Sequence, residues 1–106
     1  MQEKTYKLFV SQPMSGLTMD QIIKDREEAV NFFKFLKVTD MQIEVIDNLQ
    51  EDHPEYIATD YLSNDIKLLG RADGIIFVKG WETHRGCLVE FEVARNFVNG
   101  IDMYFM

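Results

Sequence analysis

Cysteine, proline and basic residues are all scarce in this sequence. The single cysteine, Cys87, excludes an internal disulfide and a cysteine-rich zinc site, and we expect it to pack as a small apolar residue. The two prolines, Pro13 and Pro54, stand where helices or strands are expected to begin or end. The 11 basic residues are outnumbered by 18 acidic ones, and the formal net charge of −7 argues against binding along a nucleic-acid backbone. A small anionic ligand is still compatible with this charge, because a few backbone N–H groups can bind a phosphate locally.

Long apolar runs are missing as well. No segment approaches the roughly 18–20 apolar residues that a membrane-spanning helix needs. The charged N-terminal stretch MQEKTYK also lacks the apolar segment of a secretory signal. Apolar residues nevertheless make up 46% of the 106 residues, which is enough for one hydrophobic core. We therefore expect a single globular domain over residues 1–106, located in the cytoplasm.

The distribution of apolar residues predicts strands that alternate with helices. We expect strands at 7–10, 42–47, 74–78 and 101–105, and helices at 18–37, 52–70 and 86–98. Thr18 and Gln21 form a capping-box pattern in the first helix, and Pro54 suits the first turn of the second. Such alternation is typical of a parallel sheet with helices on both faces. Ligands bind these sheets beyond the carboxyl ends of the strands, where the strand order reverses, so we expect a site between loops 11–18 and 79–86.

Two carboxylates are predicted to lie on otherwise apolar helix faces. On a helical wheel, Glu90 falls within the apolar side of the third helix, whereas Glu92 lies on its polar side. Asp65 projects from the middle of the apolar face of the second helix. A carboxylate facing a core is costly unless it is paired, hydrogen-bonded or functional; alternatively, each side chain bends to the sheet edge and caps a loop. We expect Glu90 in the first turn of the third helix, near free backbone N–H groups that favour an ionised carboxylate, which suits a nucleophile.

The two loops contain groups that bind anions or planar rings. Ser15 and Gly16 lie where backbone N–H groups at a helix start can hold a phosphate or sugar hydroxyls, although an ordinary loop fits them as well. Trp81 is either a stacking wall for a base or a cover over the sheet edge. His84 and Arg85 either meet a phosphate or are solvated. No second histidine stands at metal-ligand spacing, so no metal is expected.

Three segments carry the most specific pattern of the chain: KLFVSQPMSGLT, HPEYIATDYLSNDIKLLGRADGIIFVKGW and RGCLVEFEVARNFVNGI. Their most distinctive parts are Asn64-Asp65, Ala72-Asp73 before a strand, and Gly86 followed by Glu90 and Ala94. In these motifs the chain resembles the nucleoside 2-deoxyribosyltransferase superfamily, and more narrowly its short, uncharacterised phage and bacterial branch. The resemblance covers nearly the whole chain.

The resemblance implies a flavodoxin-like or Rossmann-like three-layer α/β sandwich with about four parallel strands, assembled as a homodimer or higher homo-oligomer. It implies cleavage of the N-glycosidic bond of a (deoxy)nucleoside or its 5′-monophosphate, with transfer of the sugar to another base or to water, and no cofactor. The nucleophile of the family falls on Glu90, the aspartate that handles the base and its proton falls on Asp65, and a mainly structural aspartate falls on Asp73. The residues expected to contact the substrate are Ser11, Pro13, Met14, Ser15, Gly16, Asp73, Trp81, His84, Arg85 and Gly86.

Two other functions remain open. The same cleft can hold a nucleotide without cleaving it, as a sensor or sequestering protein. This alternative is favoured because a tyrosine that many members carry in the first strand is replaced by Leu8 or Phe9, whereas the Glu90–Asp65 pair favours an enzyme. A flavin-binding electron carrier is the third candidate, since loop 11–18 is faintly similar to a phosphate loop. The expected partner is a small nucleoside or nucleotide, and neither a nucleic-acid polymer nor a membrane is expected.

Overall fold

The computed structural model describes residues 4–50 and 53–106, in which four parallel strands form one sheet. The strands are β1 (Thr5–Ser11), β2 (Gln42–Val45), β3 (Gly74–Phe77) and β4 (Asp102–Phe105). The helices are α1 (Met19–Phe35), α2 (Ala58–Leu69) and α3 (Arg85–Phe97), and a short 3-10 turn spans Trp81–Thr83. The strand order is β2-β1-β3-β4, consistent with the expected flavodoxin-like three-layer sandwich. None of the helices in the described ranges is long and apolar enough to cross a membrane.

The central strands are buried on both faces of the sheet, which explains their continuous apolar sequences. Leu8 and Val10 of β1 point to the face that α1 covers. Phe9, between them, points to the opposite face, where Leu69 of α2 and Ala94 of α3 complete the packing. The sheet therefore divides the core into two halves, one under α1 and one under α2 and α3.

The strand order reverses between β1 and β3, as predicted. From β1 the chain passes through α1 to β2 on one side, whereas β3 and β4 lie on the other side of β1. The two central strands pair in parallel from Leu8 opposite Gly74 to Ser11 opposite Phe77. Their carboxyl ends lead into different loops, and the space between these loops is where such folds bind ligands.

The second helix begins later than predicted. Of the predicted start, Asp52 lies outside the described residues, and residues 53–56 form a turn closed by a backbone hydrogen bond of 2.9 Å. α2 begins at Ala58, where the carboxylate of Asp60 accepts a hydrogen bond of 2.9 Å from the N–H of Ile57. The proline in this segment therefore belongs to a turn, for which its fixed φ is equally suitable.

The first helix begins as predicted and ends slightly earlier. The Thr18 hydroxyl accepts a hydrogen bond of 3.2 Å from the N–H of Gln21. The Gln21 side chain donates to Asp25 at 2.7 Å instead of completing the capping box. The helix ends at Phe35, and Lys37, with a φ of 50°, leaves the helical conformation. The strands and α3 begin and end within two residues of their predicted bounds.

Close contacts around Gly74 fix the amino end of the sheet. A Cβ atom at Gly74 would lie 2.2 Å from the hydroxyl of Tyr6, and that hydroxyl donates to Asp102 at 2.8 Å. The carboxylate of the preceding residue, Asp73, accepts a hydrogen bond of 2.8 Å from the N–H of Lys7. The backbone N–H of Asp73 donates to the carbonyl of Lys7, also at 2.8 Å. These contacts tie β1, β3 and β4 together at one end and leave the carboxyl end to the loops.

Candidate active site

A cleft of about 750 Å³ opens beyond the carboxyl ends of β1 and β3. Its walls come from the loop after β1, the loop after β2, one face of α2 and the first turns of α3. This is the position that the strand order predicted for a ligand site. The only charged side chain that is buried in the described residues, Glu90, forms part of its wall.

Glu90 lies on the inner side of α3, with 5% of its surface exposed. The hydroxyl of Ser11, the last residue of β1, donates a hydrogen bond of 2.7 Å to its Oε1. Because α3 begins at Arg85, Glu90 lies in the second turn, beyond the free N–H groups of the helix start. The predicted contact with those N–H groups is therefore wrong, and a serine hydroxyl takes their place. Glu92 is exposed, as predicted, and pairs with Arg95 at 3.3 Å.

Asp65 borders the cleft from α2. Its Oδ1 accepts a hydrogen bond of 2.9 Å from Nε2 of Gln50. Gln50 is itself held in place, because its Nε2 also donates to the carbonyl of Tyr61 at 2.9 Å and its Oε1 accepts from Asn64 at 3.1 Å. The loop after β2 therefore orients the Asp65 carboxyl through Gln50, a contact that the sequence did not predict.

The carboxyl groups of Asp65 and Glu90 lie close enough for each to change the pKa of the other. Burial, together with the charge of Asp65, raises the pKa of Glu90 to about 8 against the opposing effect of the Ser11 hydroxyl. Burial also raises the pKa of Asp65, and the hydrogen bonds from Glu90 and Gln50 and the charge of Arg26 oppose that rise. Two carboxyls that interact in this way hold one proton between them at neutral pH, and the burial of Glu90 favours this carboxyl as its holder. The raised pKa argues against the expected ionised state of Glu90.

Arg26 of α1 connects the loops after β1 and β2 through hydrogen bonds. Its half-buried guanidinium donates to Gln12 Oε1 at 3.2 Å and to the carbonyl of Ile46. Burial lowers the pKa of Arg26, and the charges of Asp47 and Asp65 oppose this effect. Arginine has an ordinary pKa far above neutrality, so Arg26 stays charged and offsets the negative charge of Asp65.

Cys87 borders the cleft next to the carboxyl pair and is buried, as predicted. Burial raises the pKa of its thiol to about 11, the hydroxyl of Ser11 opposes the rise, and the charges of Glu90 and Asp65 add to it. The thiol is therefore protonated at neutral pH and is unsuited to act as a nucleophile.

Most of the predicted substrate-binding residues line the cleft: Pro13, Met14, Ser15, His84, Arg85 and Gly86. The Nδ1 atom of His84 lies 3.0 Å from the carbonyl of Gly80, which holds the ring beside the start of α3. Arg85 forms no ion pair with another residue of the described ranges. This side of the cleft therefore presents helix N–H groups and an arginine, both of which bind anions.

Residues 6–103 match the model of a protein family described as Domain of unknown function (DUF4406). The chain belongs to this family. The match runs from β1 to β4 and includes every residue of the cleft, so the carboxyl pair is part of the DUF4406 domain. Neither a curated protein nor a solved structure matches the chain significantly. The family description states no activity, so function has to be argued from the geometry of the cleft.

Trp81 of the DUF4406 domain does not line the cleft. Its ring lies 4.8 Å from that of Phe77, 5.1 Å from that of Phe91 and 5.5 Å from that of Phe105, measured between ring centres. These contacts place it over the face of the sheet that α3 also covers. Of the two alternatives, the cover over the sheet edge is therefore correct, and the expected stacking wall is wrong.

Three other predicted contact residues also lie outside the lining of the cleft. Asp73 is at the amino end of β3, where it binds the backbone of Lys7, so its position is structural. Gly16 occupies a left-handed turn with a φ of 78° and does not line the cleft. Ser11 is fully buried and hydrogen-bonded to Glu90, so it positions this carboxyl and does not bind substrate directly.

Sequence reasoning missed several residues of the cleft: Gln12, Asn48, Thr59, Leu62, Thr83 and Val89. Thr59 and Leu62 share the helix face of Asp65 at intervals of three residues, so the wheel that located Asp65 also contained them. Asn48 follows the second strand, and a polar residue at the carboxyl end of a parallel strand was the available signal. Within the part of the chain that the structure describes, no three His, Cys, Asp or Glu side chains are placed to hold a metal ion.

Proposed function

We propose that this protein cleaves the N-glycosidic bond of a small (deoxy)nucleoside or its 5′-monophosphate and transfers the sugar to water or to a second base. The observation that carries the proposal is the pair of the buried Glu90 and the half-buried Asp65 in the wall of the cleft. With one shared proton, the pair supplies a carboxylate for the positive charge that develops on the sugar and an acid for the departing base. The resemblance to the nucleoside 2-deoxyribosyltransferase superfamily supports this assignment, because it puts the nucleophile on Glu90 and the base contact on Asp65.

The shared proton has to move before these roles apply. In the free protein, Glu90 holds the proton and Asp65 carries the charge. Transfer of the proton to Asp65 leaves Glu90 as the carboxylate, oriented by the hydroxyl of Ser11. As the C1′–N bond breaks, Asp65 donates the proton to the departing nitrogen, and an oxygen of Glu90 bonds to C1′. Water then attacks C1′, the bond to Glu90 breaks, and the proton of the water returns to the pair; a second base takes the place of water in a transfer.

The start of α3 and the loop after β1 support the binding of the sugar and of a phosphate. The start of α3 offers free N–H groups and the side chain of Arg85, and Ser15 offers a hydroxyl from the loop after β1. Such groups bind sugar hydroxyls or a 5′-phosphate. A cleft of about 750 Å³ is also of the size of ordinary small-molecule sites, which range over roughly 300–1,000 Å³.

The release of free base tests the proposal. We would incubate the protein with a panel of nucleosides, 2′-deoxynucleosides and their 5′-monophosphates and separate the free bases by chromatography. Glu90→Gln should lower base release by orders of magnitude while ligand binding survives, because the lost interaction belongs to the transition state. Glu92→Gln is the matched control, since it removes the same charge from an exposed position of α3. Normal base release by a well-folded Glu90→Gln protein would contradict the mechanism.

A non-catalytic nucleotide-binding module is the second candidate, and one observation favours it. Burial raises the pKa of Glu90 to about 8, and a protonated carboxyl is a poor nucleophile but a good hydrogen-bonding group. In this case nucleosides bind, but no free base appears at any pH between about 5 and 9, and Glu90→Gln leaves the Kd unchanged.

Assembly as a homodimer or higher homo-oligomer is also part of the proposal, as the resemblance implies. Light scattering over a range of protein concentrations tests it, and a monomer at all concentrations would contradict it.

A further inference from the structure

Asn48 holds a buried polar atom that has no partner. Of all buried side-chain nitrogen and oxygen atoms in the described residues, Oδ1 of Asn48 alone forms no hydrogen bond. The residue is only 3% exposed, yet it borders the cleft just after β2. A buried amide oxygen without a partner is costly, so buried oxygens of this kind are normally paired with protein, water or ligand. Because Asn48 borders the cleft, a ligand bound there is a source of this missing partner.

The amide nitrogen of Asn48 determines which end of the side chain is left without a partner. Nδ2 of Asn48 donates to the carbonyl of Val10 at 3.3 Å. If the two ends of the amide were exchanged, Oδ1 would lie against the Val10 carbonyl, acceptor against acceptor, and Nδ2 would lose its partner. The end of the Asn48 amide that lacks a partner is therefore an acceptor, and the amide cannot turn over to meet a ligand that offers another acceptor.

Two contacts connect the loop that contains Asn48 with Asp65. Gln50, from the same loop, donates to the Asp65 carboxyl at 2.9 Å. Arg26, which binds the carbonyl of Ile46 in this loop, is close enough to Asp65 for their charges to interact. In the proposed reaction Asp65 delivers a proton to the base, so the base lies on this side and the sugar lies toward Glu90.

We propose that Asn48 selects nucleosides whose base carries an exocyclic amino group, by accepting an N–H hydrogen bond at Oδ1. This inference rests on the proposed function, since that function places the base beside Asp65. Adenine and cytosine offer the N–H donor, whereas hypoxanthine and uracil have a carbonyl oxygen at the same ring position. A site built around a hydrogen bond discriminates strongly when a ligand leaves its buried group unpaired. A sugar hydroxyl is the other source of a donor that a nucleoside contains.

The experiment compares the Kd values of matched nucleosides by calorimetric titration at low temperature, with free base measured in every sample. The probes are 2′-deoxyadenosine against 2′-deoxyinosine and 2′-deoxycytidine against 2′-deoxyuridine, and 2′,3′-dideoxyadenosine tests the sugar hydroxyl. In at least one pair, the amino form should bind roughly 10–100-fold more tightly. Asn48→Leu, which keeps the size of the side chain, should reduce this ratio to about threefold or less. Asn96→Leu, the same change at an exposed position of α3, should leave the ratio unchanged.

The outcomes separate this inference from the proposed function. Equal binding of amino and oxo forms overturns the inference even if base is released, and Oδ1 then holds a water molecule only. An Asn48-dependent loss of affinity for the dideoxynucleoside assigns the donor to the sugar and overturns the assignment to the base. Selective binding without base release supports the inference and contradicts the catalytic proposal, whereas no binding of any probe overturns both. If Asn48→Leu does not fold, equal binding of the amino and oxo forms by the unmodified protein still overturns the inference.

Discussion

Replacing Glu90 with glutamine removes a buried proton-binding group and keeps its shape. Folding raises the pKa of Glu90 from an ordinary value of 4.5 to about 8. The native state therefore binds this proton more tightly than the unfolded chain does. The resulting contribution to stability is fully present below pH 4.5 and is lost as the pH rises toward 8. The unmodified protein should accordingly become less stable across this range.

The size of the effect follows from the two pKa values. Between them, a single group changes the free energy of unfolding by about 1.4 kcal/mol per pH unit. From pH 5.5 to 8.5 the accumulated loss is about 3 kcal/mol, allowing for partial titration at both ends. Glutamine is neutral at every pH, and its amide can still accept from Ser11 and donate to Asp65. The stability of Glu90→Gln relative to the unmodified protein should therefore grow by about 3 kcal/mol over this interval.

Urea denaturation at pH 5.5, 7.0 and 8.5 measures this difference directly. Titrating groups that do not interact with Glu90 are common to both proteins and cancel in the comparison, whereas the coupled Asp65 is followed separately by its own carboxyl titration. Glu92→Gln removes the same charge from the exposed side of α3 and should follow the unmodified protein within about 0.5 kcal/mol at every pH. A constant difference between Glu90→Gln and the unmodified protein across the three pH values would refute the conclusion that Glu90 holds the shared proton.

Three further substitutions test the supporting contacts. Ser11→Ala removes the 2.7 Å hydrogen bond to Glu90 and should lower the free energy of unfolding by about 1–3 kcal/mol. It should also raise the pKa of Glu90 further, and a carboxyl titration by NMR that shows an unchanged or lower pKa would contradict this role. Gly74→Ala puts a Cβ atom 2.2 Å from the hydroxyl of Tyr6 and should destabilise the fold by about 1–3 kcal/mol in thermal unfolding. Adding Tyr6→Phe should recover part of the loss, and no recovery would mean that the strain lies elsewhere. Trp81→Ala should lower the free energy of unfolding by about 2–4 kcal/mol and leave the Kd of any nucleoside unchanged. Weaker nucleoside binding by a folded variant would contradict the position of Trp81 outside the cleft.

The fold could be predicted because its signals are local. Apolar runs and helical periodicity locate the strands and helices, and their alternation leaves few topologies for a parallel sheet. The start of α2 was misplaced because Pro54 suits both a helix start and a turn, and the choice depended on the hydrogen bond from Ile57 to Asp60. A single sequence does not rank two local options of nearly equal energy.

The candidate site was predictable in its carboxyl groups and unpredictable in their protonation. The wheel placed Asp65 and Glu90 on inward faces, because the direction of a side chain follows from helix geometry alone. Which of them holds the proton depends on burial and on Ser11 and Gln50, which belong to other elements and are distant in sequence. For the same reason Trp81 was undecided: its partners, such as Phe105, are brought to it only by the folded sheet.

The two hydrogen bonds between Asp73 and the backbone of Lys7 fix the position of β1, and thereby the position of the Ser11 hydroxyl at the other end of this strand. Ser11 follows Lys7 by four residues, so at about 3.3 Å per residue the two lie roughly 13 Å apart along β1. A slip of one residue would move the serine by about 3.3 Å and turn its hydroxyl to the opposite face of the sheet, away from Glu90. The contacts of Lys7 at one end of β1 therefore determine whether Ser11, at the other end, reaches Glu90. An insertion or deletion within β1 would uncouple the two ends even if every side chain of the cleft were kept.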